Sequence, residues 1–389
     1  MTPLWWFSLA VLVASLGVYG VVLRGWHKLG QLRDVKPDLP SPPPPVSIIV
    51  AARNEDRAIE EAVRSILAVD YPGLEVVVVD DRSTDATGAI VDRLAAEFPR
   101  LRVEHVRDLP AGWLGKNHAL HRGAQRAHGD YLVFADADVI FEASAISRAI
   151  SYCEAVRLDH LTVIPDVPTR SLFVELGMMG GFVGLLAMYR PWRARSSGRH
   201  DLGVGAFNLV RSAPFRALGG HETLAMEVLD DIELGGLMGA SKLRQDMLLG
   251  HGMVSVEMYG TAPEMFRGIQ KNVFTFLEYS AWRLFAATAI QLAFSVWPWA
   301  GILLTEGATR WLNVASAAVP VALYLHLAPQ FRYNRLCVLY LPIMGLVTIF
   351  LFWQIAILTW IRRGVTWRGT FYSLAELKRS RAMRGRQTR

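Results

Sequence analysis

The sequence predicts an α/β catalytic domain on a mostly parallel, Rossmann-like sheet, with transmembrane helices at its N- and C-terminal sides. Three observations carry this. Short β-branched or apolar runs alternate with helical patterns across short connections, as parallel βαβ units do. Two acidic clusters, Val78-Val79-Asp80-Asp81-Arg82-Ser83-Thr84-Asp85 and Val133-Phe134-Ala135-Asp136-Ala137-Asp138-Val139, each follow such a run. That position is the C-terminal end of a buried strand, where open α/β sheets take their ligands. Finally, long uncharged stretches flank this region in a chain of 389 residues that is 52% hydrophobic, which points to a membrane protein.

The first apolar run, Leu4 to Leu23, is long enough to span, since a crossing helix needs roughly 20 apolar residues. It lacks a basic n-region and is long for a signal peptide. Arg24, Trp26, His27 and Lys28 follow it, so the positive-inside rule puts the next domain in the cytoplasm. Residues 1–25 are read as a transmembrane helix and 26–45 as a linker, with Asp38 to Val46 a stiff polyproline stretch. The catalytic domain is expected over 46–280. Its strands are predicted at Ser47–Ala51, Glu75–Val79, Leu101–Val106 and Asp130–Ala135. Helices are predicted from Asp56 to Leu67, with Ile59, Val63, Ile66 and Leu67 on one face, from Asp85 as cap to about Phe98, and from His118 to His128.

Residues 171–192 are apolar and Gly-rich with Glu175 inside. They are read as an interfacial amphipathic helix, with a core helix as the competing view. Residues 281–361 hold three late apolar runs, near 284–304, 311–328 and 336–360, the middle one of marginal length. The tail, 362–389, carries Lys378, Arg379, Arg381, Arg384, Arg386 and Arg389, a pattern read either as a cytoplasmic contact with anionic lipid or as a solvated disordered tail. Three full late crossings would leave that tail outside, so one late segment is expected to be interfacial or re-entrant. The net charge of +6 lacks an aromatic-interleaved basic stripe, which argues against nucleic acid. Cys153 and Cys337 have no metal spacing and read as small buried residues.

Several residues carry chemistry. The first strand runs into Arg53, Asn54 and Glu55, where a nucleotide base or ribose is met; capping the next helix is the plainer alternative. Asp80 and Asp81 are adjacent, so one faces a ligand while the other braces the loop. Lys116 follows the Gly-interrupted Leu109-Pro110-Ala111-Gly112-Trp113-Leu114-Gly115. It is either a phosphate contact at a helix start or a solvated lysine. Asp136 and Asp138 alternate and can converge on one side, which calls for a counter-ion, Mg2+ or Mn2+. Asp230 and Asp231, in Glu227-Val228-Leu229-Asp230-Asp231-Ile232-Glu233, are either helix caps or a general base. Gly219-Gly220-His221-Glu222 precedes them.

These elements, in this order, resemble family 2 glycosyltransferases of the GT-A fold over roughly 46–280. Leu109 to Lys116, Met258-Tyr259, Gly268 to Asn272 and Val365 to Tyr372 are similar to membrane-bound members acting on carotenoid- or hopanoid-type lipids. The resemblance implies a nucleotide-sugar donor with a uracil-like base at Asp80 or Asp81. Arg53, Asn54, Glu55, Lys116 and Asp136 would line the donor site, and Asp136 and Asp138 would hold the metal. Asp231 would be the catalytic base with Asp230 beside it, the latter standing where the family usually has Glu. Gly220, His221, Glu222 and Lys271 would lie on the acceptor side. Gln270 to Phe274 lacks the Gln-x-x-Arg-Trp of polysaccharide synthases. The expectation is therefore one inverting transfer to a membrane-lipid hydroxyl at the cytoplasmic membrane. A processive polymer synthase and a non-catalytic membrane scaffold are the rivals.

Overall fold

The structure is a computed structural model that describes residues 1–197, 203–367 and 370–379, without the side chains of 196–197, 270–274 and 367. In chain order the elements are α1 (Pro3–Trp26), β1 (Gly30–Gln31), β2 (Val46–Ala52), α2 (Ile59–Leu67), β3 (Leu74–Asp81), α3 (Thr87–Glu97), β4 (Leu101–Val106), α4 (Gly115–Arg126), β5 (Tyr131–Asp136), β6 (Val139–Phe141), α5 (Ala145–Val156) and β7 (His160–Ile164). Then come α6 (Leu172–Tyr189), α7 (Ala194–Ser197), β8 (Asn208–Arg211), α8 (Ser212–Ala217), α9 (Asp230–Ala240), β9 (Gln245–Leu249), β10 (Val254–Val256), α10 (Ala262–Phe276), α11 (Ala281–Gln291), α12 (Trp297–Leu304), α13 (Gly307–Leu327), α14 (Leu341–Arg362), β11 (Gly364–Trp367) and β12 (Thr370–Ser373). They form two compact units: residues 29–167 with 191–257, and residues 1–28, 168–190 and 258–379.

The first unit is built on an eight-stranded sheet, ordered β1-β9-β7-β8-β5-β2-β3-β4. All pairings are parallel except those of β8, which runs antiparallel between β5 and β7. The central strands read as continuous apolar runs because both faces are covered. Ile48, Val50, Val76, Val78 and Val133 face one way, onto Ile59, Val63 and Ile66 of α2 and Leu94 of α3. Ile49, Val77, Val79, Leu132 and Phe134 face the other way, onto Ala119 and Leu120 of α4 and Leu234 and Met238 of α9. A buried valine is worth about 1.5 kcal/mol or more, so Val76–Val79 carry β3 to its end at Asp81.

The stretch 26–45 is not a free spacer. Gly30 and Gln31 pair with Leu248 and Leu249 as an edge strand, and Leu32 is fully buried.

The second unit contains the long apolar helices. Helix α6 has no polar face: Glu175 is its one charged residue, so the amphipathic reading of 171–192 does not hold. The marginal run near 311–328 is the 21-residue helix α13. Among the described residues, five segments are long and apolar enough to cross a membrane: Pro3–Trp26, Leu172–Arg193, Ala281–Leu304, Gly307–Phe331 and Arg335–Arg362.

Candidate active site

Strand register gathers the acids. Ala51 lies beside Asp136 and Ala52 beside Asp80, so the ends of β5 and β3 flank β2 at strand spacings of about 4.8 Å each. Both carboxylates of Asp80-Asp81 are buried and both are engaged, as buried charge requires.

Asp80 Oδ1 accepts from the Ser83 amide at 3.2 Å and Oδ2 meets His105 Nδ1 at 2.9 Å. His105 Nε2 in turn meets Asp92 at 2.9 Å. Gly88 leaves room for this: a Cβ there would come within 3.0 Å of Asp80 Oδ2. Asp80 thus braces the loop. Asp81 takes a two-pronged ion pair from Arg82, Nε to Oδ1 at 2.7 Å and an Nη to Oδ2 at 2.9 Å. Arg53 lies 3.6 Å away. Arg82 has φ 58°, a left-handed conformation that costs a non-glycine roughly 1–2 kcal/mol and folds its side chain back onto Asp81.

Asn54 (φ 54°) laces this loop rather than capping α2. Its amide donates to Ser83 Oγ at 3.1 Å, and its Oδ1 accepts from the Thr84 amide at 2.8 Å. The Glu55 amide donates to Thr87 Oγ1 at 2.8 Å. The cap position of α2 is Ala58.

Hydrogen bonds that the His105 ring donates to Asp80 and Asp92 raise its pKa. Because the folded value is raised, the stabilisation is complete below the unfolded pKa and fades as pH rises through the folded one. His105→Gln is therefore expected to flatten the melting temperature against pH from the ordinary imidazole value of about 6.5 upward. Thermal unfolding across that range is the measurement, and an unchanged slope would exclude the role.

Lys116 occupies the second position of α4 and is not a solvated lysine. Its Nζ lies 2.7 Å from Asp136 Oδ1 and 3.7 Å from Asp230 Oδ2. Burial pulls the ammonium pKa down, but Asp136, Asp230 and Asp231 outweigh it and hold the pKa raised. Asp230 is the first residue of α9, capped by Leu229. The N-cap alternative gives way to a first-turn acid, which the helix dipole favours. Asp231 Oδ1 accepts from the Ile232 amide at 2.9 Å. The start of α4 fixes the approach to α9: Leu114 N–H donates to Ala225 O at 2.7 Å, and Asn117 Nδ2 donates to Glu227 O at 2.9 Å.

Segment 203–205 lies against both acid groups. The Asp136 amide donates to Gly205 O at 3.1 Å. A Cβ at Gly205 would reach 2.6 Å from Asp136 Oδ2, and one at Gly203 would overlap the Asp231 carbonyl. A small cavity here is lined by Lys116, Phe134, Asn208, His221, Asp230 and Asp231. His221 is stacked edgewise on Phe134 at 4.4 Å. Burial, then Lys116, push its pKa down to about 3, so the imidazole is neutral. Gly220 (φ 57°) packs on Phe215, and Glu222 is exposed. Neither lines the cavity. The Lys271 side chain lies outside the described residues.

Asp138 sits in the turn between β5 and β6. Among the described residues no group of three or more His, Cys, Asp or Glu is arranged for a metal. Two carboxylates nonetheless suit Mg2+ or Mn2+, ions held by one or two protein oxygens plus substrate phosphates. Cys153 and Cys337 are free and buried.

Sequence reasoning missed Arg82, His105, Asn117, Gly203 and Gly205 as site-building residues. His105 is the last residue but one of a strand that the sequence predicts, and comparing strand ends finds it. Gly203-Val204-Gly205 carries only a weak glycine signal.

Residues 47–173 match the family described as glycosyl transferase family 2. The chain is 26% identical over 348 residues to 4,4'-diaponeurosporenoate glycosyltransferase of Staphylococcus aureus (strain USA300), covering 85% of this chain and 89% of that protein. It is 31% identical over 196 residues to beta-monoglucosyldiacylglycerol synthase of Synechocystis sp., covering 50% of this chain and 40% of that one. A mannosyltransferase from Pyrobaculum calidifontis, solved with GDP-Man and Mn2+, shares the fold with TM-score 0.55 at 19% identity, over 92% of this chain and 98% of that one. With a GT-A-like sheet, acids at its strand ends and relatives that transfer sugars, the catalytic unit carries a family 2 glycosyltransferase region over residues 47–173.

Proposed function

We propose that this protein moves one sugar from a nucleotide-sugar donor, UDP-linked by preference, to a hydroxyl of a membrane lipid, inverting the anomeric centre. The observation that carries the reading is Lys116 bridging Asp136, at the end of β5, and Asp230, at the start of α9. One ammonium thereby holds the donor-side acid and the acceptor-side acids in a single pocket.

In this reading Asp80 braces the loop, while Asp81, with Arg53 and Arg82, faces the base. Asp136 and Asp138 would hold Mg2+ or Mn2+, which when bound neutralises the departing diphosphate. Asp231 takes the proton from the acceptor hydroxyl as its oxygen attacks the anomeric carbon in line. Neutral His221 and Phe134 keep the back of the pocket uncharged and largely dry, which strengthens the ionic contacts.

The lipid acceptor is supported by the names of the relatives, one acting on a carotenoid acid and one making a diacylglycerol glycolipid. The apolar helices support a multi-pass protein of the cytoplasmic membrane, with the catalytic unit on the cytoplasmic side. The test is full-length protein in lipid vesicles with UDP-sugars and lipid extract, read by mass spectrometry. A lipid heavier by one hexose, lost on chelation and restored by Mn2+, is expected. A sugar ladder would indicate a polymer synthase, and absence of both transfer and donor hydrolysis a scaffold.

A further inference from the structure

Contacts among the apolar helices decide which of the five candidates cross. Helix α1 provides a ruler. Ser8 Oγ accepts from Trp297 Nε1 at 3.1 Å. At the other end, Trp26 Nε1 donates to Gln330 Oε1 at 2.7 Å, and the His27 and His326 rings lie 5.3 Å apart. Ser8 and Trp26 are separated by about 27 Å of helix at 1.5 Å per residue, close to the roughly 30 Å of a hydrocarbon core. The C-terminal ends of α1 and α13 therefore share one membrane face, and Trp297 lies towards the other. Segment α11–α12 leaves the first face, Asn313 Nδ2 meets Thr305 Oγ1 at 3.3 Å across the far turn, and α13 returns.

The last segment behaves differently. Asn334 O accepts from Tyr324 OH at 3.1 Å, so Arg335 starts beside the final turns of α13. A 3-10 helix follows, Arg335–Tyr340. Helix α14 then begins deep: Gly345 packs on Ser295 and Val296. It descends antiparallel to α11. Trp353 Nε1 donates to Thr288 Oγ1 at 3.0 Å, and its ring lies 5.0 Å from that of Phe285. Strand β11, just after α14, packs on α10, and α10 follows β10 of the catalytic unit after a short connection with no helix in it.

We infer that Arg335–Arg362 is a re-entrant hairpin, with a 3-10 limb going in and α14 coming out. Its apex lies near Leu341-Pro342, and both its ends are on the catalytic side. Backbone of this kind persists in a bilayer only where protein satisfies it, and the base of the hairpin is satisfied. Asn334 Oδ1 accepts from the Leu336 amide at 2.9 Å. Glu175 Oε2, from α6, accepts from the Asn334 amide at 2.7 Å and lies 3.2 Å from Cys337 Sγ. This gives an acid in an otherwise apolar helix a definite partner.

Helix α6 does not cross either. The strands on each side of it, β7 and β8, hydrogen-bond to one another, His160 opposite Val210, so the chain enters and leaves α6 on one side. Three crossings remain: α1, α11–α12 and α13. Lys378 and Arg379 then lie on the catalytic side, as the positive-inside rule prefers.

Single cysteines in the full chain test this, because the native Cys153 and Cys337 are buried and give little background. Arg93→Cys marks the catalytic unit, Glu306→Cys the turn between α12 and α13, and Lys378→Cys the tail; all three positions are exposed. Sealed, right-side-out vesicles are treated with a membrane-impermeant maleimide, and each signal is scaled to labelling after denaturation. Glu306→Cys is expected to label in sealed vesicles, while Arg93→Cys and Lys378→Cys label only after the bilayer is opened. If Lys378→Cys follows Glu306→Cys, or Glu306→Cys follows Arg93→Cys, the inference is overturned. The outcome does not depend on which reaction the protein catalyses.

Discussion

Asp231→Asn is expected to lower sugar transfer by roughly 10²–10⁴-fold, the range lost with a general base, while nucleotide binding stays close to wild type. Asparagine keeps the side chain's size and its oxygen, so the hydrogen bond from the Ile232 amide survives. What disappears is the capacity to take a proton. Asp230→Asn separates the two acids. Asp230 is buried and lies 3.7 Å from the Lys116 ammonium, whereas Asp231 is half-buried beside the cavity. A base must reach the acceptor, and the more accessible acid is better suited to that. Asp230→Asn should therefore weaken the setting of Lys116 and cost less in kcat. Transfer rates measured beside nucleotide titrations distinguish the pair. Near-normal turnover in Asp231→Asn would remove it as the base.

The parts of the fold legible in the sequence are those set by local pattern. Strands β2 to β5 and helices α2 to α4 lie within a few residues of their predicted positions, because alternating apolar runs and helical stripes reflect burial directly. The acids stand at strand ends for the same reason. What escaped depends on partners far away in the chain. Strand β8 is antiparallel because it inserts between β5 and β7. Strand β1 forms within the stretch read as a linker, ahead of its prolines, because β9 offers an edge. Arg82 looked like a loop residue, and only its left-handed backbone turns the guanidinium onto Asp81. The Gly203–Gly205 segment required knowing that α9 and β5 converge.

Lys116→Met is expected to destabilise the catalytic unit by about 2 kcal/mol and to abolish transfer with it. Removing one partner of a fully buried ion pair costs about 3–5 kcal/mol, and the figure here is discounted because the Lys116 side chain is 21% exposed and Asp136 36%. Methionine nearly matches the aliphatic stem, so packing changes little and the loss reports charge. Asp136, Asp230 and Asp231 would then face one another without the ammonium that now lies among them. Millimolar Mn2+ should restore part of the variant's resistance to denaturant and add less to wild type, since a cation at Asp136 and Asp138 replaces the missing charge. Lys116→Arg is not expected to rescue transfer. Its wider fork must enter a slot where Gly205 already comes so close that a Cβ there would lie 3.3 Å from Nζ. Denaturant titrations with and without Mn2+ supply the measurement. If Lys116→Met unfolds at the wild-type midpoint and gains nothing from the ion, Lys116 is not the charge that holds the two acid groups together.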